Sequence, residues 1–214
     1  MIDSNIIKIE KNLELNVSRE TLKELEDYSN QIILRNRSIN LISKNSEKLI
    51  KSRHIEDSAQ TIDFIDKNDI KTCTDLGSGA GLPGIVLGIL MKSKKPLFKV
   101  IFYEKSYHKS TFLREMSKKF KINSEVRKKN IFEEKNLITD VIIARAFKPL
   151  PIIFDIAQTN FKNFKYIILF LGKSGKKILD EALKNWKFEY EEKKSLTNEE
   201  STVIKIYNLK KKYE

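Results

Sequence analysis

Residues 74–85 read Thr-Asp-Leu-Gly-Ser-Gly-Ala-Gly-Leu-Pro-Gly-Ile, and this stretch decides the fold. Five of the chain's seven glycines lie between Gly77 and Gly88. The residues before them, 70–76, are typical of a short strand, and the apolar run 85–91 predicts the start of a helix. A strand, a glycine-rich turn and a helix together form a common binding place for nucleotide-like ligands. Glycine lets the backbone approach the ligand, and the N–H groups at the helix start face it.

The loop alone leaves the identity of the ligand open. Its glycines at 79, 81 and 84 fit the dinucleotide pattern G-x-G-x-x-G. Glu104 stands at the end of the next predicted strand. Asp75, directly before the loop, would repel a pyrophosphate but suits the sulfonium and ammonium groups of S-adenosylmethionine. Glu104 suits the ribose hydroxyls of either ligand. We therefore expect S-adenosylmethionine ahead of a dinucleotide, or of a glycine turn that binds nothing.

The composition indicates one globular domain of ordinary size with a polyanionic partner. The chain has 214 residues, 40% of them hydrophobic, and 41 Lys and Arg against 29 Asp and Glu give a net charge of +12. Such an excess favours nucleic acid ahead of a membrane surface. The abundance of Lys, Asn and Ile throughout the chain also fits a simple compositional bias, which remains the alternative.

The same composition favours the cytoplasm. The single cysteine, Cys73, cannot form an internal disulfide. No apolar run is long enough to cross a membrane, and residues 1–4 do not begin a signal peptide. We expect a cytoplasmic protein with no membrane partner and no metal site.

The chain changes character near residue 67. Residues 1–66 contain neither glycine nor proline and show helical apolar spacing, so we predict a helical N-terminal extension there. It either only covers an edge of the sheet, or also forms the ligand entrance and an RNA-facing wall. Within it, His54 is either a satisfied structural residue or a substrate-binding group. From 67 to 214, strands alternate with helices and predict a mostly parallel sheet flanked by helices, ending in an antiparallel pair. The predicted strands are 70–76, 98–103, 123–127, 139–144, 165–171, 187–192 and 202–209.

Several motifs, in order along residues 20–180, resemble those of the RsmG/GidB family of small-subunit ribosomal RNA methyltransferases. The glycine loop is followed by Pro83-Gly84, the distinctive part of that family's cofactor loop. The other matching motifs are Asn40-Leu41-Ile42, the Arg-His-Ile-Glu-Asp-Ser of 53–58, the Lys-Ser-Thr-Phe-Leu-Arg of 109–114, and Ala144-Arg145-Ala146-Phe147.

The resemblance implies a class I Rossmann-like methyltransferase with a seven-stranded sheet. It further implies methyl transfer from S-adenosylmethionine to N7 of a guanine in the 530 loop of bacterial 16S rRNA. The partner would be that rRNA or the small-subunit particle, and we expect a monomer. Arg145 and Lys173 are the expected catalytic residues. The expected cofactor-binding residues are Asp75, Gly77, Ser78, Gly79, Gly81, Leu82, Glu104, Asn130, Ile131 and Arg145.

This chemistry fits a sequence without an evident His/Asp or Cys/His pair. Guanine N7 carries an in-plane lone pair, so alignment and desolvation can supply most of the catalysis. Arg145 is either a phosphate- or guanine-binding group or a surface arginine paired with a carboxylate. For Lys173, a functional role and a purely structural role are equally open alternatives.

The chain departs from the family pattern at three places. The lysine after the fifth predicted strand stands at Lys173, two positions late; Lys129 replaces an arginine; and 199–202 reads Glu-Glu-Ser-Thr where the family has an arginine. Two other functions therefore remain: an NAD-dependent oxidoreductase, for which a substrate domain is missing, and a non-catalytic RNA-binding or ribosome-assembly protein on the same fold.

Overall fold

The computed structural model describes residues 17–65, 69–195 and 200–212. The expectations about residues 1–4, the boundary between 66 and 67, and Glu199 lie outside these ranges.

A seven-stranded sheet forms the centre of the molecule, with the order β3-β2-β1-β5-β7-β9-β8. Neighbours from β3 to β7 pair in parallel, whereas β9 is antiparallel to both β7 and β8. The seven strands and the final antiparallel pair were predicted, and they are confirmed with ends shifted by at most two residues. The strands are β1 (Thr72–Leu76), β2 (Lys99–Tyr103), β3 (Ser124–Arg127), β5 (Val141–Ala144), β7 (Tyr166–Leu171), β8 (Trp186–Lys194) and β9 (Thr202–Lys211).

A second, two-stranded sheet was not predicted. It pairs β4 (Leu137–Ile138) with β6 (Phe161–Asn163) in parallel. A strand of two residues is too short to show an alternating pattern, so the sequence carries no periodic signal for it.

Helices cover both faces of the large sheet, as predicted. The longer ones are α1 (Arg19–Asn36), α5 (Gly84–Met91), α6 (Tyr107–Lys119), α7 (Leu150–Asn160) and α8 (Gly175–Asn185), and the short ones are α2 (Lys44–Glu47), α3 (Asp57–Ala59) and α4 (Ile62–Ile65). Helix α1 begins at a capping serine, since the Oγ of Ser18 accepts a hydrogen bond from the Thr21 N–H at 3.1 Å. None of the helices within the described ranges is long and apolar enough to cross a bilayer.

The helical structure expected for the extension is irregular between Ile50 and Ile65. A π-helical segment, Ile50–Glu56, runs into α3, and a turn then separates α3 from α4. The Ser58 hydroxyl donates to the His54 carbonyl at 2.6 Å, and the Thr61 hydroxyl donates to the Ser58 carbonyl at 2.7 Å. These side chains compete for carbonyls that a regular helix needs, which accounts for the irregular geometry.

The sheet divides the buried apolar side chains into two layers. One layer joins α1, α5 and α6 to one face of the sheet, and the other joins α7 and α8 to the opposite face. The chain moves outward from β1 through β2 to β3 and then returns to β5 on the other side of β1. Open α/β sheets bind ligands at such a switch point, beyond the carboxyl ends of the strands. The glycine loop follows β1 at this point, and Arg145 follows β5.

Candidate functional site

The glycine loop turns sharply after β1 and is held against the end of β2. The N–H groups of Gly77 and Ser78 donate to the carbonyl of Tyr103 at 2.9 and 3.1 Å. Gly77, Gly79 and Gly81 have φ of 66°, 53° and 89°, which side-chain-bearing residues rarely adopt. At Gly77 a Cβ would also lie 2.1 Å from the Phe147 ring, so glycine is required there for both conformation and space. The Ser78 hydroxyl donates back to the Asp75 carbonyl at 2.9 Å.

Asp75 lies behind the loop and not in an open cavity. Its side chain is buried, and its Oδ2 accepts a hydrogen bond from the Gly84 N–H at 3.0 Å, at the start of α5. Burial raises the pKa of this carboxyl to about 7, and the nearby Glu104 adds to the increase, although the Gly84 hydrogen bond opposes it. The residue thus ties β1 to the first turn of α5 and places a titratable charge under the loop.

Glu104 joins the loop to the end of β2. Its Oε2 accepts from the Gly79 N–H at 2.9 Å, and its Oε1 accepts from the Ser106 N–H at 2.8 Å. The residue lines a cavity of about 460 Å³ together with Asn130 and Ile131. The Asn130 amide oxygen accepts from the Phe132 N–H at 3.4 Å and begins the short 3₁₀ helix Ile131–Glu133. The sequence-predicted residues Glu104, Asn130 and Ile131 therefore share one cavity beside Gly77.

A second cavity, of about 450 Å³, lies on the other side of Gly77. Its lining combines the glycine loop with the extension: Leu41, Ile42, Ser43, Ser46, Arg53, His54, Gly77, Ser78, Gly79, Ala80, Leu82, Lys109, Arg145 and Ala146. The extension thus forms a wall of the site, and the simpler expectation, that it only covers a sheet edge, does not describe the structure.

The two cavities meet at Gly77 and Ala146. Ala146 has a φ of 50°, a conformation that is uncommon for a residue with a side chain. This turn directs the next side chain, Phe147, across Gly77. The Phe147 ring therefore also lines the cavity that contains Glu104. Backbone strain of this kind is often found at ligand sites.

Arg145 has most of its donors already engaged. One terminal nitrogen donates to the carbonyl of Arg53 at 2.7 Å, and the other donates to the carbonyl of His54 at 3.3 Å. The guanidinium also lies 3.5 Å from an Asp57 carboxylate oxygen and 5.1 Å from the centre of the Phe170 ring. Burial lowers the pKa of Arg145, and Asp57 partly restores it. The residue lines the second cavity and fixes the π-helical segment to the end of β5.

His54 differs from the other polar groups of the second cavity in its hydrogen bonding. Its two ring nitrogens are buried, and neither has a hydrogen-bond partner among the residues that the structure describes. Burial lowers the pKa of His54 to about 4, and the charges of Arg145 and Arg53 contribute to the decrease. The imidazole is therefore neutral at pH 7, and its two unpaired nitrogens do not fit the expectation of a satisfied structural histidine.

Lys173 does not lie with the other predicted residues. It lines a separate cavity of about 490 Å³ with Tyr190, Glu192 and Glu200. Its side chain is 80% exposed and pairs with Glu200 at 2.8 Å. A further cavity of about 340 Å³, which includes Phe147 and Leu171, lies between this region and the glycine loop.

Tyr28 is a site residue that the sequence did not identify. It belongs to the apolar stripe of α1, yet its hydroxyl donates to the Ala80 carbonyl of the glycine loop at 2.6 Å. A tyrosine within an otherwise aliphatic stripe is the only sequence signal for this contact. No group of three or more candidate metal-ligating side chains occurs in the described parts of the chain.

Comparison with known proteins places this site in a family. The family model described as rRNA small subunit methyltransferase G matches residues 21–205. The ribosomal RNA small subunit methyltransferase G of Pelagibacter ubique is 50% identical over 92% of this chain and 93% of its own length. The protein with that name from a Ruegeria species is 34% identical over 91% and 94% of the two chains.

Solved structures confirm the predicted fold. The PH0226 protein of Pyrococcus horikoshii is similar with a TM-score of 0.56 and 16% identity, over 84% of this chain and 98% of that one. The 16S rRNA methylase RmtB is similar with a TM-score of 0.53 and 11% identity, over 94% and 79%. Together with the seven-stranded sheet, these similarities establish the Rossmann-like methyltransferase fold, and the family match confirms the resemblance found in the motifs. The chain belongs to the rRNA small subunit methyltransferase G family.

Proposed function

We propose that this protein transfers a methyl group from S-adenosylmethionine to N7 of a guanine in the 530 loop of 16S rRNA. The observation that carries the proposal is the pair of cavities that meet at Gly77. One contains the ribose-suited carboxylate of Glu104, and the other is lined by the loop and by cationic and imidazole side chains. The chain's net charge of +12 suits an RNA substrate.

The residues of the site fit this cofactor. Glu104 is 8% exposed and lines its cavity, and each carboxylate oxygen can accept a ribose hydroxyl in addition to its backbone N–H. At Gly79 a Cβ would meet only the Gly77 carbonyl oxygen, at an ordinary contact distance of 3.8 Å, so the backbone there is accessible to a ligand. The high pKa of Asp75 also fits, because a cation bound on the loop would favour its charged form. We assign Gly77, Ser78, Gly79, Gly81, Leu82, Asn130 and Ile131 to the walls of this site.

The residues of this chain act mainly by positioning. When bound, S-adenosylmethionine supplies an electrophilic methyl group on its sulfonium. Glu104 fixes the ribose side of the site, and Asp75 stabilises the loop and the positive charge above it. Arg145 holds Arg53 and His54 on the wall of the second cavity through their carbonyls. Since N7 needs no proton removed before attack, a neutral His54 is compatible with direct transfer.

The acceptor guanine enters beside Phe147. The cavity there is lined by Ala146, Phe147 and Phe170, and it adjoins both the loop and the Lys173 region. Lys173 is too exposed and too far along the sheet edge to act on the reacting atoms, so we assign it to the RNA backbone. We further infer a monomer that acts in the cytoplasm, where ribosomal particles are assembled.

Methylation of rRNA from cells that lack the activity tests the proposal. Purified protein is incubated with S-adenosylmethionine and either free 16S rRNA or small-subunit particles, and the modified nucleotide is located by mass spectrometry. Glu104→Gln should weaken cofactor binding at least about tenfold, because an amide NH₂ would face a backbone N–H where the carboxylate accepts one. Glu181→Gln, which changes an exposed side chain on α8, is the matched control.

The outcomes separate the candidate functions. N7-methylguanosine in the 530 loop, lost in Glu104→Gln and kept in Glu181→Gln, supports the proposal. Binding of rRNA and cofactor without transfer to either substrate would instead support the RNA-binding assembly protein.

A further inference from the structure

An exposed aromatic side chain lies just beyond the Glu104 cavity. Tyr107, in the first turn of α6, is 63% exposed, whereas Tyr28 and Tyr103 are buried. A single exposed aromatic ring is ordinary on a protein surface, so a role for Tyr107 has to come from the groups around its ring. No interaction described above depends on Tyr107.

One lysine and one histidine lie against this ring. The Lys128 ammonium lies 5.5 Å from the Tyr107 ring centre, and the His108 ring approaches it edge-on at the same 5.5 Å. Lys105 and Lys128 are exposed and form no ion pair with a carboxylate in the described parts of the chain. This contrasts with Lys129, which pairs with Glu134 at 2.9 Å. The cations nearest Tyr107 thus keep their charge available.

The positions of these residues connect the patch to the site. Lys105 directly follows Glu104 and lines the 460 Å³ cavity, as does Lys148, which follows Phe147 after β5. Lys148, Lys105 and Lys128 therefore mark a path from the proposed guanine entrance, over the ribose side of the site, to Tyr107. Among the described residues, the buried Glu104 is the one carboxylate that lines the cavity under this path.

An exposed aromatic ring beside unpaired cations is the chemistry that binds single-stranded RNA, in which bases stack on aromatic side chains and lysines contact phosphates. We propose that an unpaired nucleotide flanking the target guanine stacks on Tyr107 while Lys128 binds an adjacent phosphate. This inference rests on the proposed function, because it assumes an RNA acceptor at Phe147. A protein partner would instead require a larger apolar area than one tyrosine offers.

Equilibrium binding tests the proposal without relying on methyl transfer. A fluorescently labelled RNA hairpin with the sequence of the 530 loop is titrated with wild-type protein, Tyr107→Ala, Tyr107→Phe and Lys128→Ala. We expect Tyr107→Ala to raise the RNA Kd at least about fivefold and Tyr107→Phe to stay within about twofold, because stacking needs the ring but not the hydroxyl. Lys128→Ala should reduce the slope of log Kd against log salt by about 0.7.

Matched controls come from the amino end of β2 and the carboxyl end of α6, away from Tyr107 at the start of that helix. Leu97→Ala removes an 81% exposed side chain just before β2, and Lys118→Ala removes an exposed lysine near the other end of α6. Neither change should alter RNA affinity or its salt slope beyond the experimental error. Thermal melting and S-adenosylmethionine affinity should be unchanged in Tyr107→Ala and Lys128→Ala.

The results distinguish this inference from the proposed function. Unchanged RNA affinity in Tyr107→Ala, or no binding of the hairpin by the wild type, overturns the stacking proposal. If the wild type methylates particles and Tyr107→Ala does so with an unchanged KM for RNA, only the stacking proposal fails. If Tyr107→Ala weakens RNA binding but the wild type transfers no methyl group, the stacking proposal stands and the proposed function fails.

Discussion

At the scale of single residues, the site contains two buried titratable groups whose pKa values move in opposite directions. Asp75 has a pKa of about 7 in the folded protein, above its ordinary value of 3.8. Its ionisation therefore destabilises the fold increasingly as pH rises from 4 to 7. His54 has a pKa of about 4, below its ordinary 6.5, so its contribution makes stability fall as pH decreases from 6.5 to 4. Over this window the two effects oppose each other.

Separate removal of the two groups should reveal the opposing slopes. Asp75→Asn keeps an acceptor for the Gly84 N–H. The melting temperature of this variant should rise between pH 4 and 6.5, because only the contribution of His54 remains. The melting temperature of His54→Gln should fall between pH 4 and 7, because only the contribution of Asp75 remains. The change in the free energy of unfolding over each pH window is at most on the order of 3–5 kcal/mol, since one pKa unit corresponds to about 1.4 kcal/mol.

Thermal melting without ligand at several pH values, followed by circular dichroism, measures both slopes. Parallel pH profiles in the two variants and the wild type would show that neither group is perturbed as the structure indicates. Calorimetry at pH 7 adds a second test of Asp75: Asp75→Asn should weaken S-adenosylmethionine binding while raising the melting temperature of the ligand-free protein.

At the scale of elements, α1 is joined to the glycine loop by a single buried hydrogen bond. The Tyr28 hydroxyl donates to the Ala80 carbonyl at 2.6 Å. Tyr28→Phe should cost about 1–2 kcal/mol, because the Ala80 carbonyl loses its partner in a buried place. The loop should then be less ordered before binding, so cofactor affinity should fall several-fold.

Tyr166→Phe is the matched control for this link. The Tyr166 hydroxyl also donates to a main-chain carbonyl, that of Phe64, at 2.5 Å, but away from the loop. Calorimetric titration should show weaker S-adenosylmethionine binding in Tyr28→Phe only, although both variants lose stability. Equal cofactor affinities in the two variants would mean that the contact stabilises the fold without organising the loop.

The same elements show what sequence patterns reveal and what they do not. The loop, Glu104 and the positions of the seven strands along the chain follow from local signals: glycine spacing, a carboxylate at a strand end, and apolar runs of strand length. The contacts of Tyr28 with Ala80 and of Arg145 with Arg53 join positions 52 and 92 residues apart, and no local pattern specifies them. Lys173 was expected to be catalytic from the family resemblance, but the structure pairs it with Glu200, which lies just before β9.

At the scale of the whole molecule, the division into an extension over 1–66 and a methyltransferase domain over 67–214 remains a prediction. Leu25, Tyr28 and Ile32 of α1 belong to the same buried cluster as Val86 of α5 and Val100 of β2. All eight residues of α5 are buried, and α1 contacts this helix. Because one core spans both parts, we expect them to unfold together.

Ile32→Ala tests this cooperativity with a probe on the opposite face of the sheet. Removing a fully buried isoleucine should cost about 2–5 kcal/mol and lower the melting temperature by about 5–15 °C. The chain's only tryptophan, Trp186, lies in the second apolar layer, beyond the sheet from α1. Its fluorescence transition should shift together with the helical signal in circular dichroism, whereas Leu34→Ala, which changes a 58% exposed side chain of α1, should shift neither. A Trp186 transition that stays at the wild-type temperature while the helical signal is lost earlier would instead establish the extension as a separately folding unit.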